Sequence, residues 1–292
     1  MKLTAPPRLL LVHAHPDDES LWTGGTIAWY AAHGVRVTVV TCTLGEEGEI
    51  IPPGLALLAS DSSDQLGGYR VGELRSACAA LGITDHRFLG GIGRWRDSGM
   101  AGTPSNTHPR SFLRGDAGEQ AAALAELITE LRPQVVLSYD SYGGYGHPDH
   151  IRAHEIAMAA TEGRQEVARV FHVVTSAAAT ERGVAEIAGL AEMPFRLPEP
   201  GELPVTADEK ITTVIDISDH VSAKLNALRA HATQVSVWQD GHGSAAYALS
   251  NGIAQPVADT EHYVLARGIS CGAERDLFGG LGLPHIDGGQ AR

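Results

Sequence analysis

The chain has 292 residues, 43% hydrophobic and 20% charged, which excludes disorder and collagen-like repetition and supports an extended globular core. Its formal net charge of −13 repels phosphate backbones and anionic lipid, so neither nucleic acid nor a membrane surface is an expected partner. No apolar run approaches the ~18 residues of a membrane-spanning helix. Nor can the widely spaced Cys42, Cys78 and Cys271 build a disulfide framework or a cysteine-rich metal site.

The first half alternates short β-branched runs with helical patterns. Arg8–Ala14 reads as a buried strand, followed by a helix over Thr26–Ala32 that ends at Gly34 and a second strand, Val35–Thr41. Tyr69–Leu81 is helical, with Leu74, Cys78 and Leu81 on one face. A short strand is expected at Arg87–Leu89, then a helix over Ala117–Leu131 stopped by Pro133, and a strand over Gln134–Tyr139. His150–Ala160 is again helical and Val167–Thr175 is a further strand. Beyond it the pattern weakens. Glu192–Pro204 reads as a proline-rich connector, Thr212–Ile217 as a strand and Ser222–His231 as a helix, and the glycine-rich stretch after His231 resists assignment.

This alternation predicts an α/β fold, a Rossmann-like, mostly parallel sheet with helices on both faces and an irregular C-terminal part. The expected unit is a single domain over residues 1–292, with a core at about 8–175 and the part at about 205–292 packed against it. The apolar run Leu9–Val12 is too short for a secretory h-region, so the expected setting is the reducing cytoplasm.

Two clusters carry chemistry. At the end of the first strand stands His13-Ala14-His15-Pro16-Asp17-Asp18-Glu19, whose successive carboxylates repel one another unless a positive charge sits among them. Alone it could equally be a solvated, helix-capping acidic turn. The second cluster, Tyr142-Gly143-Gly144-Tyr145-Gly146-His147-Pro148-Asp149-His150, occupies the equivalent place after another strand. Pro148 suits the first helical position, with His147 at the cap and His150 in the first turn. Two His/Asp clusters at two strand ends of one parallel sheet converge on one crevice, and such ligands suit a catalytic divalent metal.

The HPDDE and HPDH motifs resemble the signature of the LmbE-like, or PIG-L, family of metal-dependent N-deacetylases. Similarity to members acting on N-acetylglucosaminyl-inositol in mycothiol biosynthesis extends through VTCTLGEEGEI, DQLGGYRVGEL, GRWRDSGMAGT, AHATQV and EHYVLA. The resemblance implies one Zn²⁺ per chain, or Fe²⁺, bound by His15, Asp18 and His150. It also implies a small-molecule acetylated amino sugar as substrate. Asp17, beside a ligand, would be the general base, taking a proton from water as it attacks the amide. His147 would be a protonated imidazole facing the oxyanion or the leaving amine, Asp149 would hold its orientation and charge, and Tyr145 would reach the oxyanion through its hydroxyl. Arg70 and Asp97 would face the sugar, with Met100 and Glu49 as further substrate contacts. His13, His154, His231 and His262 are expected to be structural. Residues 161–212 carry no such motif.

Within the family the alternative is an amidase acting on mycothiol S-conjugates. Outside it, two histidines and a carboxylate also form the facial triad of non-haem Fe(II) oxygenases, although those enzymes usually sit on a jelly roll rather than a parallel α/β sheet. A dinucleotide-binding module is disfavoured, because the first strand–helix turn carries HAHPDDE where G-x-G-x-x-G is needed.

Overall fold

The computed structural model describes residues 6–190 and 192–282; both ends of the expected 1–292 span lie outside the described residues. Strands β1 (Arg8–His13), β2 (Arg36–Thr41), β3 (Asp85–Phe88), β4 (Val135–Tyr139), β5 (Arg169–Val174), β6 (Thr213–Asp216) and β10 (Thr260–Gly268) form a seven-stranded sheet of order β3-β2-β1-β4-β5-β10-β6. Its centre reads as near-continuous Val and Leu because helices cover both faces. Leu10, Leu11, Val12, Val135, Val136 and Leu137 are all fully buried.

The chain runs outward from β1 through β2 to β3, then returns to place β4 on the other side of β1. Strands β1 and β4 pair in parallel, with Leu9 opposite Val135 and Leu11 opposite Leu137. The strand order therefore reverses between them, which opens a crevice beyond their carboxyl ends. Right-handed crossovers on the two sides of this reversal send their helices to opposite faces. Helices α1 (Asp18–Ala32), α2 (Leu66–Ala80) and α7 (Val221–Ala230) pack together, as do α3 (Ala117–Leu131) and α5 (Pro148–Thr161).

The expected strands and helices of the first half are present with shifted ends. Helix α1 begins at Asp18, α2 at Leu66 and α5 at Pro148, each N-terminal to its expected start. The second half holds more order than the sequence pattern suggests. Helix α6 (Ala177–Ile187) follows β5, and β7 (Ser236–Gln239), β8 (Ala245–Ala248) and β9 (Gln255–Pro256) make a small antiparallel sheet. The short helix α4 is Gly143–Gly146.

Strand β10 inserts antiparallel between β5 and β6, so the sheet is mostly rather than wholly parallel. From β10 the buried Glu261 accepts hydrogen bonds from the N–H groups of Gly25 (2.9 Å) and Thr26 (2.8 Å) and from Lys224 Nζ (2.7 Å), tying α1 and α7 to the sheet. The glycine at 25 is required there, since a Cβ would overlap the side chain of Ile217.

Arg169, at the start of β5, is almost wholly buried and fastens the segment after β10. Its guanidinium donates to the carbonyls of Ile269 (2.7 Å), Leu277 (2.8 Å) and Cys271 (2.9 Å). Removing it strands three carbonyls that it now satisfies. Arg169→Leu is expected to lower unfolding stability by about 3 kcal/mol, read as a lower urea midpoint with an unchanged slope. A loss below about 1 kcal/mol would show that these carbonyls find other partners.

Candidate metal and catalytic site

The crevice between β1 and β4 is a cleft of about 1270 Å³. His15, Asp17 and Asp18 reach it from the turn after β1, and Tyr145 and His147 reach it from the turn before α5. His147 is the N-cap of α5, accepting the Asp149 N–H on Nδ1 at 3.1 Å, and Pro148 occupies the first helical turn. That cap turns His150 back towards β1. Its Nδ1 is fixed by the Gly143 carbonyl at 3.1 Å, which leaves Nε2 free to bind. Glycine is needed at 143, where φ is +67° and a Cβ would lie 2.6 Å from His150 Cβ.

Three donor atoms meet beyond the strand ends. His150 Nε2 lies 3.3 Å from His15 Nδ1 and 3.4 Å from Asp18 Oδ2, and His15 Nδ1 lies 3.5 Å from the same oxygen. Donors about 2.1 Å from a tetrahedral divalent ion are separated by roughly 3.4 Å, so the tripod suits such an ion. His15 also belongs to two other close groups, one with His147 and His150 and one with Asp97 and Asp149. The tripod is the better site because His15 has two faces. Its Nε2 meets Asp149 at 3.3 Å and Asp97 at 3.4 Å, the usual outer support of a ligating imidazole.

Charge follows this geometry. Burial alone would raise the Asp18 carboxyl, but His150 and His15 hold it well below the carboxylate range. Burial would lower His15, yet Asp97, Asp149 and Asp18 hold it well above the ordinary imidazole value. Asp17 stays outside the tripod. Its Oδ2 is 3.0 Å from Arg70 Nη2, and burial lifts the carboxyl to about 6 against the pull of Arg70.

Two expectations are corrected here. The Asp149 carboxylate does not face His147; it accepts from Ser98 N at 2.9 Å and meets His15, and only the Asp149 backbone N–H serves His147. Nor does the surrounding protein favour an imidazolium at His147: burial and the neighbouring His15 and His150 push the ring down to about 3, and its Nδ1 accepts the Asp149 N–H.

The expected sugar contacts divide. Arg70 is only 2% exposed, donating to the Gly45 carbonyl at 2.7 Å, to the Pro16 carbonyl and to Asp17. Asp97 is 4% exposed, accepting from Gly99 N at 2.8 Å and Glu47 N at 3.3 Å. Both form part of the cleft wall, but the Arg70 terminal nitrogens and both Asp97 carboxylate oxygens already have protein partners; Arg70 Nε alone is left without one. Met100, 47% exposed, and the exposed Glu49 face the open cleft. Tyr145, 39% exposed, stands edge-on to His150 with ring centroids 4.9 Å apart, and burial raises its hydroxyl, keeping it a donor. His154 turns away to the Tyr139 carbonyl at 2.9 Å, His13 bonds Thr23 at 3.0 Å, and the half-buried His262 lines the cleft.

Sequence reasoning missed Tyr139, which stacks on His150 at 4.1 Å and accepts the Ala14 N–H on its hydroxyl at 2.9 Å. The only available signal was its position as the last strand residue before the second cluster. His15→Ala and His150→Ala are expected to reduce bound metal from about one ion per chain to a small fraction. Asp149→Ala, which leaves the tripod intact, should weaken affinity about 10- to 100-fold. Elemental analysis and chelator competition measure both; full occupancy in the two histidine variants would displace the site.

The PIG-L family profile, described as GlcNAc-PI de-N-acetylase, matches residues 10–161. The chain is 72% identical, over 97% of its length and 100% of the relative's, to the 1D-myo-inositol 2-acetamido-2-deoxy-alpha-D-glucopyranoside deacetylase of Actinosynnema mirum. Among solved structures it is similar to a deacetylase bound to teicoplanin, at 20% identity and a TM-score of 0.51 over 89% of this chain and 99% of that one. It is also similar to GalB, the 4-carboxy-2-hydroxymuconate hydratase of Pseudomonas putida, at 22% identity and a TM-score of 0.52 over 78% of this chain and 80% of that one. At those identities the two structures attest the fold alone, and a fold does not choose a reaction. The family match and the close relative do more: this chain belongs to the PIG-L family of N-deacetylases.

Proposed function

We propose that this protein is a zinc-dependent, cytoplasmic hydrolase that removes the acetyl group from N-acetylglucosaminyl-inositol, a step of mycothiol biosynthesis. The observation that carries the hydrolytic reading is the division of labour between two adjacent acids. Asp18 closes the His15–His150 tripod, whereas Asp17 stays out of it, in the cleft wall and gripped by Arg70. The choice of substrate is supported by the 72% identical relative, which bears that substrate in its name.

A divalent ion held by His15, Asp18 and His150 would polarise the acetamide carbonyl and acidify water. Zn²⁺ suits the two-nitrogen, one-oxygen donor set, and Fe²⁺ accepts the same ligands. Asp17 takes the proton of the water that attacks the carbonyl carbon. The Nε2–H of neutral His147 and the Tyr145 hydroxyl donate to the oxygen on which negative charge develops. The carbon–nitrogen bond then breaks, the proton passes from Asp17 to the departing nitrogen, and acetate and a free amine leave. Met100 and Glu49 form the open wall for the rest of the substrate, while Arg70 and Asp97 act on it through Asp17 and His15.

Asp17→Asn is expected to retain the metal and lose about 10²-fold or more in kcat, whereas Asp18→Asn should weaken metal binding itself. Acetate release and elemental analysis on the same preparations separate these outcomes, and metal loss in Asp17→Asn would exchange the two roles. For the substrate, wild-type enzyme should release acetate from N-acetylglucosaminyl-inositol with a higher kcat/KM than it shows on a mycothiol S-conjugate. The reverse order would assign the chain to the amidase.

A further inference from the structure

Asp17, the proposed base, has an unusual backbone conformation. Its φ is +131° and its ψ −29°, a region that residues with a side chain rarely occupy. Among the described residues three other non-glycine positions have positive φ, Asp64, Arg132 and Glu192, but all lie between +50° and +63°, in the ordinary left-handed well. Such a conformation persists only where its surroundings impose it. The Asp17 side chain does not cap α1, so the constraint comes from elsewhere.

It comes from a buried pair spanning the two halves of the chain. The Asp17 N–H donates to Glu19 Oε2 at 3.0 Å. The other oxygen of that carboxylate accepts from the Ser20 hydroxyl at 2.5 Å and from His231 Nε2 at 2.7 Å. Glu19 and His231 are both 0% exposed. His231 has no contact with the cleft, yet its proton anchors the acceptor that fixes the Asp17 amide. Two residues further on, Thr233 is clamped by Glu73 through its N–H (2.8 Å) and hydroxyl (2.6 Å), which holds the His231 loop in place.

We propose that His231 is a positioning residue for deacetylation: through Glu19 it imposes the Asp17 backbone conformation that aims the Asp17 carboxylate at the attacking water. Without His231 the buried Glu19 carboxylate loses its strongest donor and turns or takes up a proton. The Asp17 amide then loses a fixed acceptor, and its φ relaxes. The inference rests on Asp17 being the base.

The test is a double-mutant cycle between His231→Ala and Asp17→Asn, with folded fraction and metal affinity measured alongside. His231→Ala, folded and metal-loaded, should lose about 10²-fold in kcat, the cost of a small misplacement of a catalytic group, with KM and metal affinity within about threefold of wild type. In the Asp17→Asn background the same change should alter the residual rate by less than about threefold, because the two act as one unit. His231→Gln, whose amide can donate to Glu19, should recover at least about tenfold of the lost kcat. A crystal structure of His231→Ala should show Asp17 φ leaving +131°. A folded His231→Ala enzyme with kcat within about threefold of wild type, or an undiminished loss in the Asp17→Asn background, overturns the proposal. Should His231→Ala fail to fold, Glu19→Gln gives the same reading: a kcat fall of about tenfold or more supports it, and wild-type turnover refutes it. Wild-type turnover by Asp17→Asn alone would instead refute Asp17 as the base.

Discussion

The carboxylates of Asp18, Asp97 and Asp149, buried, and of Asp17, largely buried, crowd together beyond the carboxyl ends of one sheet's strands, and the surrounding structure makes that arrangement tolerable. Buried anions in such proximity repel one another and lose hydration, so each needs a positive or hydrogen-donating partner. Arg70 serves Asp17, the two imidazoles serve Asp18, and His15 with backbone N–H groups serves Asp97 and Asp149. With the acids shared out in this way, the tripod of His15, Asp18 and His150 retains converging donor atoms for a cation. The same cluster that a stability argument would call a liability is, on the proposed function, the chemistry of a hydrolase.

The fold places the cluster by topology. Because the strand order reverses between β1 and β4, the segments following them face each other across the crevice, and each contributes one of the two histidines of the proposed tripod. The C-terminal half supplies the outer walls. Glu261 pins the middle of α1, and His231 reaches Glu19 in its first turn, so the turn that carries both acids is held from its own strand and from residues more than 200 positions away. Loops after strand ends are ordinarily mobile; this one is fixed by buried charge pairs.

The first half was legible because its elements announce themselves locally. Continuous apolar runs mark buried parallel strands, Pro148 marks a helix start, and two His/Asp clusters at strand ends mark a shared crevice. Strand β10 was not legible as part of the sheet, since its antiparallel place between β5 and β6 is decided by partners far away in the sequence. Strands β7 to β9 are too short to show periodicity. The site divided along the same line. Residue type and strand-end position pointed to the two clusters and the family resemblance to the ligand set; the donor atoms of His15, Asp18 and His150 lie within 3.5 Å of one another. Charge states and facings depend on burial, which spacing does not encode: hence a His147 pushed down by its surroundings, an Asp149 carboxylate beside His15, and an Arg70 and Asp97 held within the wall. A structural role was expected for His231, and the pairing with Glu19 gives that role a route to the chemistry.

The choice of His15 Nδ1 rather than Nε2 as the ligating atom is the point on which the whole site turns. Anomalous scattering from crystals of the zinc-loaded protein, collected on either side of the metal's absorption edge, locates the ion directly. The expected result is one peak per chain about 2.0–2.2 Å from His15 Nδ1, Asp18 Oδ2 and His150 Nε2, with Asp17 outside the coordination sphere. A peak between His15 Nε2, Asp97 and Asp149, or one that takes Asp17 as a ligand, would contradict it.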